Sequence, residues 1–162
     1  MRFNGRALAM AACAILPILT PAPVFAHDED IFAPVPENGL SWEVLMSSDA
    51  IEWTDEATGT QHLRPAYSAE VVAQRGKKVT VAGFMMATTE AAEQDHFLLF
   101  ASPPDCLFHM TVGPTRFIEV RMDKPIALRT GAITITGHLE LVDQPKGGVF
   151  YRISDGHTVG TH

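Results

Sequence analysis

Cys106 and His109 are the side chains of this sequence that are best suited to soft-metal or redox chemistry. They stand three residues apart in the proline-rich stretch SPPDCLFHMTVGPT (102–115), between two apolar segments, HFLLFA and RFIEVRM. A thiolate and an imidazole are donors that zinc and copper ions prefer. Structural zinc takes four protein ligands and catalytic zinc three with a water, so a metal bound here needs further donors. The candidates for these are Met110, His96 and Asp105.

The same pair also has a purely structural interpretation. Cys106 is then a small buried hydrophobe, and His109 packs or forms a hydrogen bond on the loop. A third interpretation, a thiol enzyme or redox protein, needs an orienting group and an oxyanion donor, and no residue pattern identifies either. The chain contains no G-x-S-x-G, no H-E-x-x-H and no phosphate-binding glycine loop. We therefore expect a protein that is not an enzyme.

Residues 1–26 have the pattern of a secretory signal peptide. Arg2 and Arg6 precede the apolar run ALAMAACAILPIL, and Val24-Phe25-Ala26 ends it with an A-x-A-like site, so we expect cleavage after Ala26. The alternative is lipoprotein anchoring at Cys13, which leaves an apolar region of only about six residues, shorter than usual. Both predict export, and the first predicts a periplasmic protein with no membrane span in the mature chain.

Cleavage after Ala26 makes His27 a second candidate ligand. Its amine and imidazole would together chelate one copper ion, and the acids that follow in HDED would raise the local concentration of cations. The alternative is a frayed acidic tail, because chain termini are seldom ordered.

The charge of the chain excludes two classes of partner. The formal charge is −7, and removal of residues 1–26 takes away two arginines and no acid, which leaves −9. Nucleic acid and anionic membranes both need a basic surface patch. Cys106 becomes the only cysteine, so it cannot form an internal disulfide.

Short apolar segments with turn signals between them predict an all-β fold. VTVAGF and ITITGHL each alternate β-branched residues and then reach a glycine, Gly83 or Gly137, of the kind that marks a bend or bulge in a strand. Such bends let a small barrel close. We predict a five-stranded OB-like barrel, with a β-sandwich as the alternative, and a short N-terminal helix that begins after Ser41.

The predicted organisation is a single domain after the signal peptide. Residues 27–40 form an extended acidic lead-in, residues 41–156 the barrel-like domain, and residues 157–162 a C-terminal tail. Within the domain we expect residues 49–70 to be a loop with weak extended pieces, and Asp123-Lys124-Pro125 to turn the chain.

The order of these pieces resembles a family of small exported bacterial proteins, the domain-of-unknown-function family 3299. The resemblance covers about residues 40–155 and rests on Trp42 with Leu45, GKKVTVAGFMM, HFLLF, PPDCLFH followed by GPTRFIEV, ITITGHLEL and GGVFYRI. It implies an association with export-type ABC transporter components or metal-uptake proteins. It also implies Cys-x-x-Cys or Cys-x-His in the loop, where this chain has Cys-x-x-His, so an implied ligand role falls on Cys106 and His109 alone.

These observations lead to one expectation and its alternatives. We expect a non-enzymatic periplasmic accessory protein that binds a transition metal, zinc or copper, through Cys106, His109 and His27, or that supports an ABC-type envelope transport system. Its partner would be an envelope transporter component or a metal-handling protein. The alternatives are an interaction module that binds without metal on a strand face of the barrel, and a thiol redox protein.

Overall fold

The structure is a computed structural model that describes residues 32–104, 113–145 and 147–160 of the 162-residue chain. The predicted signal peptide, with the alternative anchor at Cys13, lies outside the described residues, and so does the first part of the lead-in.

The first element is the short helix that the sequence predicts, α1 (Trp42–Met46). Ser41 is its N-cap, and its hydroxyl oxygen accepts a hydrogen bond from the backbone N–H of Val44 at 3.3 Å. A serine in this position satisfies one of the N–H groups that a helix start leaves free. Trp42 and Leu45 are buried, so the helix turns its apolar side to the core.

Residues 49–70 hold more regular structure than the sequence predicts. Instead of a loop with weak extended pieces, they form an antiparallel hairpin of β1 (Asp49–Thr54) and β2 (Gln61–Ala66), followed by α2 (Ala69–Val72). The prediction was wrong because the strand signal in β1 is short, with only Ile51 and Trp53 alternating with polar residues, and the strand forms although all of its residues are exposed.

Five further strands close into a barrel in the order β3-β4-β5-β7-β6. They are β3 (Lys78–Ala87), β4 (Glu93–Phe100), β5 (Phe117–Ala127), β6 (Ala132–Leu141) and β7 (Tyr151–Thr158). β5 and β7 pair in parallel and all the other barrel pairs are antiparallel. This is the strand order of an OB-like barrel, so the predicted fold class is confirmed.

The two helices lie at one end of the barrel, here called the helix end. The hydroxyl of Tyr151, the first residue of β7, donates to the carbonyl of Leu45 in α1 at 2.7 Å. Gly76, just after α2, donates its N–H to the carbonyl of Leu139 near the end of β6 at 2.7 Å. At the far end of the barrel lie the first residues of β6, the last residues of β7, and the 128–131 turn.

The core fills the barrel interior with alternating side chains from all five strands. The largest side chains with essentially no exposed surface include Tyr151, Phe97, Phe150, Leu45, Leu99, Ile118, Ile135, Leu139 and Ile153. Trp42 joins them from α1, where its indole Nε1 donates to the carbonyl of Ala82 in β3 at 2.8 Å. The indole N–H is thus satisfied although the ring is buried.

Gly137 marks a bulge, as its position in the sequence predicts. The pairing of β6 with β7 shifts register between Thr136 and His138. A Cβ at Gly137 would lie 2.5 Å from Cγ2 of Ile153 and 2.6 Å from the carbonyl oxygen of Ser154. Only a residue without a side chain allows this approach of the two strands.

Gly83 allows a similarly close approach of β3 to its neighbour, without a shift in register. A Cβ there would lie 2.6 Å from Cγ of Leu99 and 2.8 Å from the carbonyl oxygen of Phe100. β3 pairs with β6 as far as Phe84 and with β4 from Phe84 onward, so Gly83 lies where the strand passes from one neighbour to the other.

Two expected boundaries differ in the structure. The predicted turn at Asp123-Lys124-Pro125 is wrong, since β5 continues through it and the pairing with β4 shifts register between Gln94 and His96. A proline fits such an irregularity because it cannot donate to the ladder. β7 ends at Thr158, two residues beyond the predicted end of the domain.

Candidate functional site

The three residues predicted to bind metal, Cys106, His109 and His27, lie outside the described residues. The structure does describe the two strands that hold the Cys106 loop. Ala101 donates its N–H to the carbonyl of Arg116 at 3.0 Å, and β4 and β5 continue this pairing away from the loop. The base of the 102–115 loop is therefore fixed by paired backbone, as the sequence predicts.

Within the described ranges, no three His, Cys, Asp or Glu side chains are placed to hold a metal ion together. His96, one of the candidate further donors, instead contacts a carboxylate on the neighbouring strand. Its Nε2 lies 2.8 Å from Oε1 of Glu119. An ionised carboxylate only accepts hydrogen bonds, so this nitrogen carries the hydrogen and donates it.

Glu119 is the centre of a charged cluster on the outer surface of β4, β5, β6 and β7. Besides His96, its carboxylate accepts from Nε of Arg152 and lies 3.5 Å from Nη2 of Arg121. Arg152 also reaches Glu140 on β6 at 3.4 Å. The network thus links four of the five barrel strands through side chains.

The burial of Glu119 is not apparent from the sequence. Glu119 and Arg121 lie two residues apart on one strand face, a spacing that by itself is typical of a solvated face with a charge pair. In the structure Glu119 is only 7% exposed, whereas Arg121 is exposed. Its partners cover it because β4 and β7 lie on either side of β5 in the barrel.

The electrostatics of the cluster keep Glu119 ionised. Burial raises the pKa of its carboxyl, but the hydrogen bonds from Arg152 and His96 and the nearby arginine charges outweigh burial and hold the pKa below its usual value. A carboxylate with its pKa lowered does not donate a proton near neutral pH. The arrangement is suited to joining strands rather than to acid–base chemistry.

The second feature is the projecting β1–β2 hairpin with its turn, residues 49–66, here called the arm. Ile51 lies opposite Arg64 and Trp53 lies opposite His62, so the four side chains share one face. This face is the arm patch. Trp53 is 45% exposed and its ring stacks on His62, with ring centroids 5.0 Å apart.

The arm has a defined turn at its tip. Asp55 donates its N–H to the carbonyl of Thr60 at 2.9 Å, and its carboxylate accepts from the N–H of Ala57 at 2.9 Å. This bond is the main reason that the pKa of Asp55 lies below its ordinary value. Gly59 takes φ +68°, a conformation that favours glycine.

The base of the arm is fastened to the barrel. Ser68, after β2, donates its N–H to the hydroxyl of Ser48, before β1, at 3.3 Å, and its own hydroxyl lies 2.8 Å from that of Ser47. The hydroxyl of Tyr67 lies 2.9 Å from the carbonyl of Val142 and 2.7 Å from that of Phe150. The tip therefore projects from a fixed base.

Sequence reasoning missed the arm patch. A signal was present, since Ile51 and Trp53 alternate with polar residues in DAIEWT and Thr58-Gly59 is a turn signal. Within the described residues, each arm strand pairs only with the other and keeps its second edge unpaired. In that part of the chain Arg64 makes no ion pair.

No family model matches the chain, and no curated protein matches it. Among solved structures, the chain is similar to the crystal structure of a DUF3299 family protein from Pseudomonas aeruginosa PAO1. The two are 14% identical with a TM-score of 0.39, and the match covers 56% of this chain and 66% of that protein. The chain thus spans just under two thirds of that protein's length. That protein comes from the family that the sequence resembles.

In the described part of the chain, no helix has the length and apolar character needed to cross a membrane.

Proposed function

We propose that this protein is a non-enzymatic accessory protein of the bacterial periplasm that acts by binding another envelope protein with its arm. The observation that carries the proposal is the exposure of Trp53 and Ile51 together on one face of a projecting hairpin. Isolated large apolar residues are common on protein surfaces, but neighbouring ones with an arginine are typical of binding sites.

The energetics of the arm support this function. A two-stranded hairpin is at best marginally stable in water on its own, and its unpaired edges invite association. All six residues of β1 are exposed, so burial contributes little to holding that strand in place. A partner that covers Ile51 and Trp53 would supply the missing burial. Tryptophan and arginine are also the side chains on which interface energy concentrates.

The partner class follows from charge and from the resemblance. A chain with formal charge −7 does not suit nucleic acid or an anionic membrane surface. The resemblance to exported proteins associated with ABC-type transport makes a component of an envelope transport system the partner to test first. A protein surface with an apolar recess and an acidic rim would complement Trp53 and Arg64.

The direct test is site-specific crosslinking in the producing bacterium. A photoreactive amino acid replaces Trp53 in one strain and Val72, an exposed residue of α2 that is 47% accessible, in a matched control strain. We expect a discrete crosslinked product from position 53 and none of that size from position 72. No product at position 53, or the same product from both positions, would show that the arm is not the binding surface.

A second candidate function is transition-metal binding by the loop. The observation in its favour is that the paired ends of β4 and β5 hold the loop that carries Cys106 and His109. Binding residues are often carried on loops that a rigid scaffold positions. Here the protein would hold zinc or copper for another envelope protein, and His27 would provide a separate copper site at the mature N-terminus.

Metal titration separates this candidate from the first. The mature protein is titrated with Zn²⁺ and with copper, alongside Cys106→Ser/His109→Ala, His27→Ala and the control His157→Ala, an exposed residue of β7. If the double variant binds one equivalent of metal less than wild type and the control variant does not, the loop site is supported. Unchanged stoichiometric metal binding in the double variant would exclude the loop site. The His27→Ala variant tests the N-terminal copper site in the same way.

A further inference from the structure

A cavity of about 460 Å³ opens at the far end of the barrel, away from the helices and from the arm. It is lined by Ile126, by residues 129–134 and by residues 158–160. The cavity lies where β5 and β7 separate. Their parallel pairing ends at Met122 and Gly156, whereas β7 stays beside β6 as far as the bond from Val159 N–H to the carbonyl of Thr134 at 2.9 Å.

Part of the lining of this cavity is apolar. Ile126 and Ile133 are half-buried. Part of each side chain packs against the core, and the part that remains exposed can contact a ligand in the cavity. Val159 adds a side chain that is 44% exposed. Burying such surface under a ligand favours binding. The volume falls in the range of about 300–1,000 Å³ that is usual for small-molecule sites.

The rest of the lining includes polar and positively charged residues. Three threonines, Thr130, Thr134 and Thr158, line the cavity together with Arg129. None of the lining residues is acidic. Among the described residues Arg129 has no ion-pair partner, whereas Arg75 and Arg152 are each paired with a carboxylate.

We propose that this cavity binds a small amphiphile with an anionic headgroup, a carboxylate or a phosphate, on a short apolar chain. The chain lies against Ile126, Ile133 and Val159, and the headgroup accepts hydrogen bonds from Arg129 and the threonine hydroxyls. A charge-assisted bond from arginine to a carboxylate or phosphate is stronger than a bond between neutral groups. This site is independent of partner binding by the arm.

The test uses the full chain and four probes in isothermal titration, with amide NMR shifts to locate binding. Decanoate and decyl phosphate carry both features, decanol lacks the charge, and inorganic phosphate lacks the chain. We expect saturable binding of the first two, with shifts at Ile126, Thr134 and Thr158, and binding at least tenfold weaker for the other two. A stronger response to decyl phosphate than to decanoate, or the reverse, identifies the headgroup that the site prefers.

Variants test which residues of the cavity bind the headgroup and the apolar chain. Arg129→Gln removes the charge, and loss of one charge-assisted bond predicts affinity lower by about tenfold. Arg64→Gln on the arm is the matched control, because it removes an exposed arginine without an ion pair far from the cavity, and its affinity should equal wild type. Ala132→Phe, at an exposed lining position, should block decanoate by filling the cavity.

Three results would overturn the proposal. They are no saturable binding of decanoate or decyl phosphate, equal affinity for decanol, and equal effects of Arg129→Gln and Arg64→Gln. Thermal unfolding of each variant, measured in parallel, shows that it is folded when its binding is assayed. Crosslinking from position 53 on the arm is a separate experiment. If the cavity does not bind these amphiphiles, the test of partner binding by the arm is unaffected.

Discussion

Nε2 of His96 lies 2.8 Å from Oε1 of Glu119, although the two residues are 23 positions apart in the chain. β4 and β5 bring them together, and Arg152 of β7 reaches the same carboxylate from the other side. The carboxylate is nearly inaccessible to water, and groups from both neighbouring strands form hydrogen bonds with it. Glu119 therefore acts as an electrostatic connection between strands that are distant in sequence.

Replacing Glu119 by glutamine should destabilise the barrel. A hydrogen bond to a charged group contributes about 1.5–3 kcal/mol, so we expect Glu119→Gln to lower the free energy of unfolding by about 2 kcal/mol at pH 7. Glu140→Gln is the matched control, because Glu140 is exposed and its pair with Arg152 should contribute no more than about 1 kcal/mol. Urea denaturation measures both. Equal midpoints for the two variants would contradict the role of Glu119.

The same cluster predicts a pH dependence. The hydrogen bonds from Arg152 and His96 outweigh burial and hold the pKa of Glu119 below its ordinary value, so folding favours the ionised form. The resulting stability is present above the unfolded pKa of about 4.3 and is lost as the pH falls through the folded pKa. The stability gap between wild type and Glu119→Gln should narrow between pH 5 and pH 3. A gap of constant size over that range would show that the carboxylate charge is not responsible.

The bulge glycine gives a prediction with a close internal control. A methyl group at Gly137 would meet the carbonyl oxygen of Ser154 at 2.6 Å, and a backbone atom cannot move away cheaply. We expect Gly137→Ala to lower the free energy of unfolding by about 1–3 kcal/mol. Gly131→Ala, in the turn between β5 and β6, would place its Cβ in open space and should stay within about 0.5 kcal/mol of wild type. If the Gly137→Ala and Gly131→Ala variants have similar free energies of unfolding, β6 and β7 do not approach each other as closely at Gly137 as the structure shows.

The parts of the fold that the sequence predicts are those with local signals. Ser41 predicts the start of α1 because a side-chain cap acts within three residues. Gly137 predicts the bulge because the alternation around it predicts a strand, and a glycine inside a strand commonly marks a bend or bulge. The later strands alternate apolar with polar residues, and this pattern predicts an all-β domain. A strand that buries one face in the core needs apolar residues at every second position. These features depend on residues close together in the chain.

The parts that the sequence does not predict depend on register or on exposure. Glu119 appears solvated in sequence because its cover, His96 and Arg152, comes from strands 23 and 33 positions away. The arm lacks buried positions in β1, so no contact with the core accompanies the short alternation in DAIEWT. The cavity at the far end arises from the separation of β5 and β7, which no local pattern encodes. For the loop that carries Cys106 and His109, the sequence predicts the strands on either side. It does not predict where the thiol and the imidazole lie.

Both tyrosines of the chain should resist ionisation in the folded protein. Burial raises the pKa of Tyr67, with further increases from Tyr151 and Asp143, and burial also raises the pKa of Tyr151. Stability that comes from the neutral phenols is present below their unfolded pKa of about 10 and is lost as the pH rises above it. The absorbance at 295 nm should therefore increase only together with loss of the near-ultraviolet circular dichroism. An ordinary titration near pH 10 with the fold intact would contradict this placement of the two rings.

The two tryptophans should report separately on the core and on the arm. Trp42 is 3% exposed and its indole N–H is bonded to the carbonyl of Ala82, whereas Trp53 is 45% exposed. In Trp53→Phe only the buried ring emits, so we expect a blue-shifted spectrum and little quenching by acrylamide. In Trp42→Phe only the arm emits, so the spectrum should be red-shifted and strongly quenched.

The Trp42→Phe variant should also be less stable by about 1–3 kcal/mol, because it leaves the carbonyl of Ala82 without its indole donor in a buried setting. Trp53→Phe should unfold like wild type, since its ring is 45% exposed and stacks on the exposed ring of His62. Equal quenching of the two variants would mean that the arm lies against the barrel and hides Trp53. The arm patch would then be covered by the protein itself, and a partner could bind there only after the arm had moved away.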